Sequence, residues 1–173
     1  MKTKKSAGLA IIYDNKILLA HTTSRGWYGS YGIPKGGIDD GESKLDAAIR
    51  ETKEEVGINV PLNLIDTTEH TFTVTSRKHK YNKVVYYYVV IIDDLSQIGL
   101  KDLRVPKKQL QIEEVDWAGF LDYKEAMKRT MKSQLPLINN LVSKGLLENN
   151  SHILNFKDYE HIWERRSLEG GSQ

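Results

Sequence analysis

The sequence predicts an α+β domain, and three observations carry that prediction. Two apolar runs of strand length open the chain, "AGLAIIY" and "KILLA". A segment of helical periodicity, "SKLDAAIRETKEEV", follows a glycine-rich loop. Beyond it lies "NKVVYYYVVII", so continuously apolar and aromatic that it reads as a strand buried on both faces. At 173 residues the chain has the size of one ordinary domain. Its 39% hydrophobic and 28% charged residues are those of a soluble globular protein.

The elements follow in order. Asp14-Asn15 separates the first two runs and marks a β-hairpin. "TTSRGWYGSYGIPKGGIDDGE" is read as a loop, ended by Ser43 as helix N-cap, with Gly57 as the helix stop. "LNLIDTTEHTFTVTS" and the aromatic run give two strands, and "EEVDWAGF" a third. "DYKEAMKRTMKS" and "PLINNLVSKGLL" are read as two helices broken at Pro136. Residues 1–148 are expected to form the domain and 149–173 an extension. In that extension "HILNFKDYEHIWERR" is read as a docked helix and "LEGGSQ" as a disordered end.

Composition excludes several functions. Without cysteine there are no disulfides, thiolate metal sites or thiol nucleophiles. No window has the length of a membrane span, and the short apolar run at the N-terminus meets Asp14 at once, so a strand is expected there, not a leader. The expected location is cytoplasmic. A net charge of +2 gives no global drive toward nucleic acid. Lys2, Lys4 and Lys5 are read as a solubilising end.

The helix carries the chemistry. At about 100° per residue, Leu45, Ala48, Ile49, Thr52 and Val56 share one stripe that must pack on the sheet. Glu51, Glu54 and Glu55 share the adjacent sector, where they repel unless a cation joins them. A hard divalent ion with oxygen ligands, such as Mg²⁺, resolves that conflict; an ordinary charged helix face is the alternative. Glycines in "PKGGIDDGE" let the backbone approach a ligand closely. Glu42, eight residues before Arg50, is placed to pair with it and orient the neighbouring glutamates.

Gly36, Glu42, Arg50-Glu51, Glu54-Glu55 and Gly57-Ile58 resemble the Nudix box, Gly-x5-Glu-x7-Arg-Glu-U-x-Glu-Glu-x-Gly-U, where U is a bulky aliphatic. The one departure is Thr52 at the first U position, on the buried stripe. The resemblance implies a Nudix-type α/β/α sandwich with a central mixed β-sheet. It implies a Mg²⁺- or Mn²⁺-dependent pyrophosphohydrolase that cleaves a nucleoside diphosphate linked to another moiety. Carried over by position, Glu51, Glu54, Glu55 and the Gly36 carbonyl become metal ligands. Glu54, supported by Arg50, is the first choice for the catalytic base, and Glu113 or Glu114 of "QIEEV" is the alternative.

Lys35 in "PKGG" resembles the form found in Nudix enzymes for dinucleoside polyphosphates and inositol pyrophosphates. A dinucleoside polyphosphate or similar nucleotide is the expected small-molecule partner. Enzymes acting on inositol pyrophosphates or on RNA 5′ ends are the alternatives, and a non-catalytic nucleotide-sensing module is the alternative of another class. Lys35, Arg25, Lys78 and Lys80 would meet phosphate, and Trp27, with Tyr28 and Tyr31, would stack on a base.

Overall fold

The computed structural model describes residues 2–26 and 28–149. At its centre β1 (Lys2–Tyr13) and β6 (Tyr81–Ile92) run parallel, in register from Lys2 opposite Tyr81 to Tyr13 opposite Ile92. The other strands are antiparallel to their neighbours: β2 (Lys16–Thr22), β3 (Tyr31–Gly32), β4 (Lys35–Gly37), β5 (Ile65–Ser76) and β7 (Val115–Leu121). The sheet is therefore mixed, in the order β3-β2-β1-β6-β5, with β4 also on β1 and β7 also on β2.

Both faces of this sheet are covered. Ala7, Leu9 and Ile11 of β1 pack with Ala47, Ala48 and Val56 of α1 (Lys44–Val56). The alternate residues Ala10 and Ile12 face α2 (Tyr123–Arg129) and α3 (Leu135–Ser143), meeting Ala126, Leu137, Ile138 and Leu141. The result is an α/β/α sandwich. Burial from two sides is why β6 is apolar without alternation.

Local chemistry sets the turns. Asp14 and Asn15 adopt positive φ of 46° and 59°, the pair of left-handed residues that a two-residue hairpin turn requires. The Ser43 hydroxyl accepts from Asp46 N at 3.0 Å and caps α1. Gly57 closes that helix at φ 68°, where a side chain would be strained and would also press on Gln109.

Several elements differ from the sequence expectation. β1 begins at Lys2 rather than Ala7, because parallel pairing with β6 satisfies its polar N-terminal backbone. Two short strands, β3 and β4, lie inside the expected loop; β3 pairs with β2 and bridges to Thr130, and β4 pairs with β1. Leu62–Leu64 is a single helical turn, and β5 starts at Ile65. Glu113 and Glu114 precede β7 in a turn. The break between the last helices falls at residues 130–134, not at Pro136, which sits in the first turn of α3, where proline's missing N–H costs no bond. The helix and disordered end expected beyond residue 149 lie outside the described residues. Among the described residues, no helix is long and apolar enough to cross a membrane.

Candidate active site

Helix α1 lies against β4, and their contact builds the site. Gly36 and Gly37 pair with Ala7 and Ser6 of β1, which fixes the loop backbone under the helix. A Cβ at Gly36 would overlap the Glu51 carboxylate, so glycine is what lets the two approach. Glu55, although charged, is buried in this seam and accepts from Lys35 N at 2.8 Å.

Arg50 gathers the acids. Its Nε and Nη2 donate to the two oxygens of Glu42 at 2.8 and 2.9 Å, a bidentate pair. Nη2 also donates to the Gly37 carbonyl at 2.8 Å, tying helix to loop. Nη1 donates to Glu51 at 2.9 Å and to Glu54 at 3.1 Å. The guanidinium and the Asp39 N–H together hold the Glu42 carboxyl down at about 2. Burial acts the other way on the remaining carboxylates. It pushes Glu51 up and raises Glu55 to about 7.

Lys35, Gly36 and Glu55 of this seam open onto a cavity of about 390 Å³, whose wall does not include Glu42, Arg50, Glu51 or Glu54. Its wall includes Gly36, Glu55, Glu113 and Glu114, and opposite charges from Lys35 and Lys83. Lys83 has no counterpart among the sequence candidates. It opens the apolar part of β6, and burial with the neighbouring Lys35 ammonium lowers its pKa to about 8. A lysine at the head of a buried apolar strand is the sequence feature that could have revealed it.

Other candidates fall elsewhere. Lys78 and Lys80 lie in the exposed turn between β5 and β6, outside the cavity wall. Arg25 is exposed in the loop after β2 and does not line the cavity. Trp27 lies outside the described residues. Tyr28 is 65% exposed, with the Arg129 guanidinium 5.4 Å from its ring. Tyr31 is buried against His21 and Trp117, so it belongs to the core and cannot stack on a base. Thr52, the departure from the box, is buried and satisfies its hydroxyl on the Ala48 carbonyl at 2.8 Å. On the predicted stripe Leu45 and Ile49 are only partly buried, while Ala47 takes a core position. His21, buried in β2, joins Asp116 at 2.6 Å and the Gly26 carbonyl at 2.9 Å, anchoring the loop beside the cavity.

The candidate metal ligands are oxygens alone, three carboxylates and the Gly36 carbonyl, and Glu51 and Glu55 are poorly solvated. That chemistry, with a glycine where a Cβ would fill the space, fits a hard divalent ion. As the side chains stand, Arg50 draws Glu51 and Glu54 while Lys35 N–H draws Glu55, and among the described residues no three acidic or histidine groups are gathered at ligand spacing.

A mixed-sheet sandwich with a carboxylate-bearing helix over a glycine loop defines a hydrolase of phosphoric anhydrides. The chain belongs to the NUDIX domain family, whose family model matches residues 2–140, and it is a pyrophosphohydrolase of that family. It is 28% identical over 163 residues to an RNA pyrophosphohydrolase of Ruthia magnifica subsp. Calyptogena magnifica, the match covering 86% of each chain. It is 32% identical over 100 residues to a bis(5′-nucleosyl)-tetraphosphatase (asymmetrical) of Mus musculus, covering 57% of this chain and 65% of that one. The C. elegans Ap4A hydrolase binary complex shares the fold, with a TM-score of 0.60 at 23% identity, over 83% of this chain and 97% of that one. Nudix hydrolases generally need a divalent metal ion such as Mg²⁺.

Proposed function

We propose that this chain is a Mg²⁺-dependent enzyme that cleaves the pyrophosphate linkage of a nucleoside 5′-polyphosphate, with dinucleoside polyphosphates as the first reading. The observation that carries it is the cavity with Lys35 and Lys83 on one part of its wall and Glu55, Glu113 and Glu114 on another. Burial first, and then the adjacent Lys35 ammonium, depress Lys83; a polyphosphate chain relieves the repulsion between the two. A diphosphate would engage them less fully than a longer chain.

The roles follow from the contacts. Lys35 and Lys83 bind and orient phosphate oxygens. Arg50 fixes the positions of Glu51 and Glu54 and, through Glu42 and the Gly37 carbonyl, the loop. Glu54, half exposed beside Arg50, takes the proton from water, with Glu113 or Glu114, which line the cavity, as the alternative base. Glu51, Glu54, Glu55 and the Gly36 carbonyl would hold a divalent ion, which would supply charge neutralisation and acidify water.

RNA 5′ ends are the second reading, supported by the relative described as an RNA pyrophosphohydrolase. Hydrolysis of a panel of dinucleoside polyphosphates, triphosphorylated RNA and nucleotide sugars tests both. Glu54→Gln should lower kcat by about 10² or more with the fold intact. Excess chelator should abolish turnover and added Mg²⁺ restore it. Turnover that persists in chelator overturns the metal assignment.

A further inference from the structure

A marked charge asymmetry extends from the cavity wall beyond it. β1, β6 and β5 extend side by side past the sandwich, so that residues 2–6, 81–84 and 73–76 form a three-stranded ribbon closed by the turn at 77–80. These segments carry Lys2, Lys4, Lys5, Arg77, Lys78, Lys80 and Lys83, and no Asp or Glu. Seven cations exceed the whole chain's net charge of +2, so the remainder is net acidic. The N-terminal lysines are exposed, as a solubilising end would be, but they are strand residues, fixed by pairing with β6.

Register decides which of them act together. Lys2 opposite Tyr81, Lys4 opposite Lys83 and Gly8 opposite Lys35 share one face of the sheet, because paired residues point the same way and alternate along each strand. Lys83 is in the cavity wall. From the Lys35 row to the Tyr81 row the stripe runs about 20 Å, at about 3.3 Å per residue. Aromatic rings are interleaved with the charges. Lys4 Nζ sits 4.4 Å from the centre of the Tyr81 ring, and His79 lies near-parallel to that ring at 17°, with centroids 6.4 Å apart. Lysines supply phosphate contacts at intervals, and flat rings supply stacking faces that any base can use.

We infer that this ribbon is a binding track for single-stranded RNA, which enters the cavity 5′ end first and lies with its following nucleotides over Lys4, Tyr81 and the 77–80 turn. The inference rests on the reading that the cavity takes a nucleoside 5′-polyphosphate, and takes up the second of the two substrate readings, an RNA 5′ end. A stripe of this length continues well past the cavity, and a chain bearing one charge per nucleotide and a base to stack uses both of its features.

The test is binding of a 5′-hydroxyl oligoribonucleotide of about eight nucleotides, read by fluorescence anisotropy across a salt series. Having no 5′ phosphates, this probe reports on the ribbon whether or not the cavity hydrolyses anything. We expect log affinity to fall with log salt at a slope steeper than about −2, the value for three neutralised phosphates on a single strand. Lys4→Glu with Lys78→Glu should weaken binding at least about tenfold, and Tyr81→Ala about fivefold or more. Lys78→Glu with Lys80→Glu, confined to an exposed turn, serves if the strand variant fails to fold. Lys101→Glu with Lys108→Glu, exposed and distant in sequence, should change little. Equal losses in that control, or none in the ribbon variants, overturn the track. Inorganic polyphosphate binding as tightly as RNA, with Tyr81→Ala indifferent, shows recognition of charge alone and overturns the RNA assignment. If RNA binds as expected but no polyphosphate is hydrolysed, the cavity reading fails and the track stands.

Discussion

Arg50 is a single residue on which four others depend. It donates to Glu42, Glu51, Glu54 and the Gly37 carbonyl, so its removal releases loop and glutamates together. We expect Arg50→Ala to lower activity roughly 10- to 100-fold, the usual loss when a group supporting metal ligands is deleted. Its Tm should fall as well, since Glu42 loses its charged partner. The pH dependence has a definite sign. The Glu42 pKa is about 2 in the fold against an ordinary 4.5, so its contribution is present above 4.5 and is lost as pH falls toward 2. The Tm gap between wild type and Arg50→Ala should therefore narrow over that window. An unchanged Tm with collapsed activity would place Arg50 on the substrate. Lys83 answers at the opposite end of the scale. With its pKa near 8, it discharges as pH rises through that value, and KM for a polyphosphate substrate should rise with it. Lys83→Gln should have a high KM already at neutral pH and lack the inflection; an identical profile would remove Lys83 from phosphate binding.

At the scale of elements, the seam between β4 and α1 decides whether the site exists. β4 is only Lys35–Gly37, yet it sets the Gly36 backbone against Glu51 and presents Lys35 N–H to Glu55. Gly36→Ala should force Glu51 aside and raise the Mg²⁺ concentration for half-maximal activity by about tenfold or more. Gly37→Ala is the matched control, because a Cβ there meets nothing within 4 Å. Similar behaviour of the two variants would mean that close approach at Gly36 is not what the site needs. This seam also shows what a sequence can reveal. The helix, its caps and the spacing of Glu51, Glu54 and Glu55 are local patterns and were legible, as was the buried character of β6. β3 and β4 were not, because two- and three-residue strands exist only through partners distant in sequence. Lys83 was missed for the same reason, since its neighbour Lys35 is brought to it by tertiary packing. Pro136 was misread because proline is tolerated in a helix's first turn, and the break six residues earlier carries no such marker. Tyr31 was misread because an aromatic in a glycine-rich loop resembles a binding residue until the core around it is known.

At the scale of the molecule, the two hydrophobic clusters on either side of the sheet define what must be present for folding. The α1-side cluster ends in sequence at Phe120, and the α2–α3 side ends at Leu147. Glu148 is then tied back to the first hairpin: its N–H donates to Asn15 Oδ1 at 2.6 Å, and Asn15 Nδ2 donates to its carbonyl at 3.4 Å. Among the described residues, the apolar packing reaches its last member at Leu147 and the cavity wall its last at Gln134. We propose on this basis that residues 1–148 make a self-sufficient domain. A chain ending at Glu148 should unfold cooperatively with a Tm within about 3 °C of the full chain, a shift corresponding to roughly 1 kcal/mol or less at this size. Its kcat on a dinucleoside polyphosphate should match that of the full chain within about twofold, since every residue placed in the cavity is retained. Cutting instead after Leu135 removes Leu137, Ile138, Leu141 and Leu147 from the second cluster and should abolish cooperative unfolding, because each is a fully buried side chain whose loss costs about 2–5 kcal/mol. A large fall in Tm for the chain ending at Glu148 would show that residues 149–173 complete the core, and the boundary would move to the C-terminus.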